Sequence, residues 1–265
     1  MKKIGFIGAG NMAGAIIEGI RKASLSVEIR AYDLNREKLL FLERKFQVCP
    51  VETMGACVEG IDYLFLAVKP QNFSEVLSEL RTVVSKNTVI VSIAAGITED
   101  YICKELGFTS KVVLVMPNTP LQLGCGATAL SRGKHTSEEE FLFVRSIFDA
   151  AGITEEISSD HMNEVIPLNG SSPAFIYLFA KYFIHYGKSA GFTEEISLHL
   201  FAQTLMGSAE MLMNSGKSVE ELIQMVSSKG GTTIAGLETL EEKGFSQAIQ
   251  AACENCVKRA YELTR

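Results

Sequence analysis

Apolar and polar positions along the chain fall into two regimes. Up to about residue 157, short apolar runs alternate with segments of helical period, which predicts a mostly parallel sheet wound by helices on both faces. The first run, 4–7, leads at once into a helical stretch carrying Ile16, Ile17 and Ile20. Runs at 27–33, 61–68, 88–93 and 111–116 predict further strands, and 126–131 and 153–157 read as edge strands flanking a helix over 137–150. Near Ser158 the pattern changes. Pro167 and Pro173 are the last prolines, and long helical periods follow, such as 194–214 with Ile196, Leu200, Leu205 and Leu212 in register. Gly191, Gly216, Gly230-Gly231 and Gly244 punctuate this part. The reading is an α/β doubly wound domain over 1–158 and an all-α domain over 159–265.

The apolar stretch 174–186 is broken by Lys181 and His185, is too short to cross a bilayer, and reads as a buried helix. Before it, Gly170-Ser171-Ser172-Pro173 reads as a loop. The helical domain carries more apolar positions than its size needs, including Phe175, Ile176, Leu178, Phe179, Phe183, Phe201 and Met206. A second subunit completing this core, hence a homodimer or higher homo-oligomer, is the expectation.

Composition narrows the classes. With 47% hydrophobic and 21% charged residues the chain reads as a soluble globular protein. A net charge of −6 argues against general affinity for nucleic acid or anionic membranes. Met1 runs straight into Lys2-Lys3 and the glycine turn, with no signal-peptide core, so a cytoplasmic location is expected. The six cysteines are scattered; Cys253 and Cys256 read as helical neighbours, and no metal site is expected.

The strongest local signal is Gly8-Ala9-Gly10-Asn11-Met12-Ala13, directly after the first strand and opening the first helix. Gly8 permits the tight turn, Gly10 lets a pyrophosphate approach the backbone, and Ala13 lets the helix pack on the strand. The free N–H groups of the new helix then face the phosphates. Asp33 ends the second strand about where an acid meets the adenosine ribose, which favours NAD. Asn35, Arg36 and Lys38 follow it and suit a 2′-phosphate instead. Three more strand ends, Lys69-Pro70, Ala94-Ala95-Gly96 and Pro117-Asn118, are expected to line one crevice with the dinucleotide.

In the helical domain, Ser227-Ser228-Lys229-Gly230-Gly231-Thr232-Thr233 opens onto a helix over 232–242. Hydroxyls, mobile backbone and a helix N-terminus suit a small carboxylate. The dinucleotide domain is expected to supply one wall of a hydride-transfer site and this loop the other. No nucleophilic set stands out, and His135, His161, His185 and His199 read as structural or surface residues. Reduction of an already activated electrophile fits, and a protonated imine meets that requirement.

The motifs Ile4-Gly5-Phe6-Ile7-Gly8-Ala9-Gly10-Asn11-Met12-Ala13, Ala67-Val68-Lys69-Pro70, Ser92-Ile93-Ala94-Ala95-Gly96, Met116-Pro117-Asn118-Thr119-Pro120, Asn169-Gly170-Ser171-Ser172-Pro173-Ala174, Gly230-Gly231-Thr232-Thr233 and Leu240-Glu241-Glu242-Lys243-Gly244-Phe245 occur in that order. Together they resemble the pyrroline-5-carboxylate reductase family along almost the whole chain. The resemblance implies a Rossmann fold with a C-terminal all-α dimerisation domain, and NAD(P)H-dependent reduction of 1-pyrroline-5-carboxylate to L-proline. It implies that Ile7 to Met12 (with Gly8, Ala9, Gly10 and Asn11 between them), Asn35 and Ala67, Val68, Lys69 and Pro70 contact the cofactor. Asn35 tips the expectation to NADPH, with NADH possible. Ser228, Gly230, Gly231, Thr232 and Thr233 would hold the substrate carboxylate, with the Thr233 hydroxyl nearest the imine nitrogen. Lys229 departs from the proline common before the Gly-Gly pair, and Asp33 is a charge that would repel a 2′-phosphate. The competing readings are a β-hydroxyacid-type dehydrogenase, which would need a catalytic lysine such as Lys181 or Lys188 on the first long helix, and a non-catalytic nucleotide sensor.

Overall fold

The structure, a computed structural model, describes residues 1–263. Contacts divide the chain into two units, Met1–Pro173 with the residues from Asn255 onward, and Ala174–Glu254.

In the first unit the apolar runs become strands because both of their faces are covered. β1 (Lys2–Ile7), α1 (Asn11–Lys22), β2 (Val27–Tyr32), α2 (Arg36–Phe46), β3 (Cys49–Pro50), α3 (Met54–Val58) and β4 (Tyr63–Leu66) form the first half. α4 (Phe73–Leu80), β5 (Val89–Ser92), α5 (Glu99–Leu106), β6 (Lys111–Met116), β7 (Gly126–Arg132), α6 (Glu138–Asp149) and β8 (Gly152–Glu156) follow. The sheet has 8 strands in the order β3-β2-β1-β4-β5-β6-β7-β8. Pairing is parallel except between β6 and β7. Every residue of β4 and β5 is buried, as strands sandwiched between helix layers require.

One core joins Ile16, Ile17 and Ile20 of α1 to Leu42 of α2 and Phe141 and Phe148 of α6, with Phe6 stacked on Phe65 at 4.6 Å between centroids. The opposite core holds Cys57, Phe73, Leu77, Leu80, Ile102 and Leu106. The strand order reverses between β1 and β4, and the crevice of a doubly wound sheet lies at the carboxyl ends of the strands there.

The α/β doubly wound class is as the sequence predicts, with three differences in detail. β7 is an interior strand, flanked by β6 and β8, because the chain reverses after β6 and inserts it there. The opposite edge is β3, two residues long and too short to leave a periodic signal. Gly170-Ser171-Ser172-Pro173 is not a plain loop: Gly170 ends a π-type turn, Ile166–Gly170, and Ser172 and Pro173 already belong to α7 (Ser172–Ser189). Met162 and Ile166 pack in the second core of the sheet unit, and the contacts divide the chain between Pro173 and Ala174.

The second unit is helical throughout. Besides α7 it holds α8 (Glu194–Asn214), α9 (Val219–Met225), α10 (Thr232–Glu242) and most of α11 (Phe245–Glu262). Thr193 caps α8, and Ser218 and Glu221 form a reciprocal box that starts α9. Phe183 stacks on Phe201 at 4.3 Å, and Phe179 sits against both and Phe245. At Gly187 an added Cβ would come within 2.2 Å of Ser197 Oγ, so α7 and α8 cross at van der Waals contact. The helix expected to be buried over 174–186 is instead open on much of its surface, with Tyr177 63% and Tyr186 70% exposed. Within one chain there is no layer to cover it.

Candidate functional site

The turn after β1 is built around Gly8. Its φ of +100° lies where an L side chain is strained, and a Cβ there would stand 2.7 Å from the Ala67 carbonyl oxygen. Its N–H donates to the Tyr32 carbonyl at 2.8 Å, so the turn is pinned to both neighbouring strands. Gly10 begins α1, a Cβ on it would meet nothing within 4 Å, and no described side chain caps the helix. The first N–H groups of α1, at Asn11 and Met12, therefore face open space with the positive end of the helix behind them. Ala13 is fully buried against the strand, while the Ile7 side chain is buried and offers only backbone to a ligand.

Asp33 has a use that the sequence does not announce. One carboxylate oxygen accepts from the Ala9 N–H at 2.7 Å and the other from the Asn35 N–H at 2.8 Å. The acid braces the glycine turn against the loop that starts α2. Asn35 in turn caps α2, its side-chain oxygen accepting from the N–H groups of Glu37 and Lys38. Arg36 and Lys38 are exposed beside it.

At the carboxyl ends of β1, β2 and β4 lies a cavity of about 580 Å³, lined by Gly8, Gly10, Asp33, Leu34, Val68, Lys69, Asn72 and Val76 among others. A second hollow of about 610 Å³ lies on the far side of the turn, between α1 and α2, and shares Gly10 and Lys38 with the first. The cavity at the strand ends is where a doubly wound sheet takes its ligand. Ala67 N–H donates to the Ile7 carbonyl at 2.8 Å, and Lys69 is exposed as it leads into the short turn Pro70–Asn72. Ala95 is half-buried and Gly96 buried at the end of β5. Pro117 and Asn118 are buried at the end of β6, and Asn118 Oδ1 accepts from the Ala127 N–H at 3.0 Å. Asn169 was named only within a motif and given no role. It reaches this strand end from 53 residues away and donates to the Met116 carbonyl.

In the helical unit, the Gly231 N–H donates to the Ser228 carbonyl at 2.9 Å and Gly231 begins α10 without a side-chain cap among the described residues. Ser228, Lys229, Gly230, Thr232 and Thr233 are exposed around that open helix start. Ser227, the first residue of that stretch, has its Oγ buried with no hydrogen-bond partner among the described residues. Free backbone N–H groups, hydroxyls and a helix dipole converge there, the equipment for a carboxylate.

Other reactive groups have ordinary surroundings. All four histidines are exposed. Burial pushes the Cys57 thiol up to about 12, and its Sγ donates to the Phe6 carbonyl, so it is an inert core group. Of the lysines that a hydroxyacid dehydrogenase would use, Lys188 pairs with Glu194 at 2.7 Å.

A mostly parallel open sheet with a pinned glycine turn at its switch point defines the class, a dinucleotide-binding protein. The comparisons agree. A profile described as NADP oxidoreductase, coenzyme F420-dependent, matches residues 3–96, and one described as pyrroline-5-carboxylate reductase dimerisation matches 159–263. Pyrroline-5-carboxylate reductase 1 of Bacillus spizizenii is 35% identical over 99% of this chain and 90% of its own length. The Escherichia coli pyrroline-5-carboxylate reductase is 34% identical over 100% of this chain and 99% of its own. The crystal structure of the Plasmodium falciparum pyrroline carboxylate reductase with NADP bound superposes with a TM-score of 0.90 at 28% identity, covering 100% of this chain and 98% of that one. The chain belongs to the pyrroline-5-carboxylate reductase family.

Proposed function

We propose that this chain reduces 1-pyrroline-5-carboxylate to L-proline with NADPH, in the cytoplasm, as a homodimer or higher homo-oligomer. The observation that carries the reading is the uncapped start of α10, ringed by Ser228, Thr232 and Thr233, in a chain that matches this family from end to end. The residues of the sheet unit fit the cofactor. Gly8 fills a space no Cβ could enter, and the open face of Gly10 and the bare N-terminus of α1 suit a pyrophosphate.

Bound there, NADPH would supply a hydride to the carbon of the C=N bond of the protonated imine, the π pair passing to a nitrogen that already carries the proton of the product amine. Ile7 to Met12 and Ala67 to Pro70 would hold the nucleotide along the strand ends, and Ala95-Gly96 and Pro117-Asn118 would border its reactive ring. Ser228, Gly230, Gly231 and Thr232 grip the substrate carboxylate through N–H and hydroxyl groups. The Thr233 hydroxyl stands nearest the imine nitrogen and orients it. The work is positioning and exclusion of water, so no strong protein acid is needed.

Arg36, Lys38 and the Asn35-capped start of α2 support a 2′-phosphate, and Asp33 is already engaged by two N–H groups. The open apolar surface of α7 and α8 supports self-association. Six unpaired cysteines, Cys49 and Cys125 of them exposed, suit a reducing compartment. No helix among the described residues is long and apolar enough to cross a membrane.

The test is the loss of absorbance of NADPH and of NADH in the presence of 1-pyrroline-5-carboxylate. NADPH is expected to be the faster, and Arg36→Ala to narrow the difference. Failure of both cofactors to be oxidised overturns the reading.

A further inference from the structure

The antiparallel ladder between β6 and β7 ends at Met116 opposite Ala129, because the next residue, Pro117, has no N–H to donate. Past that point two carboxamides replace the missing backbone bonds. Asn118 Oδ1 takes the Ala127 N–H, while Asn169 Nδ2 donates to the Met116 carbonyl at 2.6 Å and to the Ala127 carbonyl at 3.0 Å. Asn169 is 8% exposed and is carried on the π-type turn, where its own N–H donates to the Val165 carbonyl and the Ser171 N–H to the Ile166 carbonyl. With both Nδ2 hydrogens given to carbonyls the amide has one orientation; turned over, its oxygen would oppose those same two carbonyls. Its Oδ1 has no hydrogen-bond partner among the described residues, although it is buried. The arrangement fixes the carbonyl of Met116, just before Pro117, and that of Ala127, whose N–H the Asn118 side chain takes, and tolerates an unsatisfied acceptor to do so, a compromise met at working sites.

We propose that Asn169 is a positioning residue for the nicotinamide end of the cofactor. It acts through Pro117 and Asn118, whose carbonyl neighbours it fixes, and so rests on the reading above that puts those two residues beside the reactive ring. Loss of its amide would let the end of β6 relax, and the ring would lose its seat while the adenosine half, held at β1, β2 and β4, kept its own.

Calorimetric titration of the full-length protein with NADPH and with 2′-phospho-ADP-ribose, which lacks only the nicotinamide, separates these ends. Asn169→Ala is expected to bind NADPH about tenfold more weakly and the fragment within about twofold of wild type, as loss of buried hydrogen bonds at one end predicts. Asn169→Ser, whose hydroxyl can serve one carbonyl only, should fall between. Equal weakening of both ligands, or unchanged NADPH affinity, overturns the proposal. So does a wild-type circular-dichroism spectrum missing from both variants, which would make Asn169 a folding residue. Wild-type protein that binds NADPH but leaves 1-pyrroline-5-carboxylate unreduced would sink the proposed reaction and leave this comparison readable. Wild-type protein that binds neither ligand would sink both.

Discussion

The sheet unit and the helical unit treat their apolar residues in opposite ways. In the first, Tyr63, Phe6, Phe65, Phe73, Phe141 and Phe148 are all at or below 2% exposure. In the second, Leu200 is 64% and Met206 67% exposed, and of its residues only Gly187 and Ser197 are buried. Hydrophobic stabilisation scales with area removed from water, so the sheet unit is secured inside one chain and the helical unit is not. The proposed cofactor site therefore rests on an internally complete scaffold. The helical part, which carries the proposed substrate loop, depends on a surface that one chain leaves bare, as the match to a dimerisation profile leads one to expect.

The harshest test of this contrast is Leu200→Glu combined with Met206→Glu. Light scattering should show the assembly reduced to single chains, with activity down roughly a hundredfold, because charge is costly at the centre of a packed interface. An unchanged mass would erase the distinction between the units. Next, Gly8→Val should destabilise the sheet unit by about 3 kcal/mol and abolish cofactor binding, since it combines backbone strain with a clash against the Ala67 carbonyl. Urea melts followed by circular dichroism suit a chain without tryptophan. A wild-type midpoint would show that the turn is less constrained than its geometry says.

Thr233→Ala is milder. Turnover should drop about tenfold with NADPH affinity unchanged, the loss of one oriented hydroxyl. Equal loss of cofactor affinity would mean that the loop has been misassigned. The smallest effect belongs to Glu140, which starts α6 and pairs with Lys111 at 2.6 Å. Burial pushes its carboxyl up, but the hydrogen bonds from Lys111 and from Ser137 outweigh this and hold it below its ordinary range. A lowered folded-state value gives stability that is present at neutral pH and lost as pH falls through the carboxylate range. Glu140→Gln should cost about 0.5–1 kcal/mol at pH 7, and the difference should vanish only once the pH has fallen below the ordinary carboxylate range, through the lowered folded-state value. A gap that persists in acid would assign the cost to the helix cap instead.

What was legible in the sequence was local. The glycine turn, the strand runs and the span of α8 are written in neighbouring residues, through sterics and through periods of two and 3.6. Sheet order is not local, which is why β7 passed for an edge and β3 left no trace. The motif containing Asn169 was visible, but its partner Met116 was not, because nothing in a sequence couples positions 53 apart. Asp33 shows a related limit: the residue was noticed, yet its use by the Ala9 and Asn35 N–H groups depends on how two loops meet. For α7 the sequence reported apolar surface correctly, but could not say whether the same chain or another would cover it.

The brace from Asp33 to Ala9 also bears on speed. The glycine turn proposed to take the phosphates is tied to two strands and to the next loop, so it needs no further ordering when a nucleotide arrives. Capture should then proceed in a single kinetic phase, linear in nucleotide concentration, with no slow isomerisation of the turn following encounter.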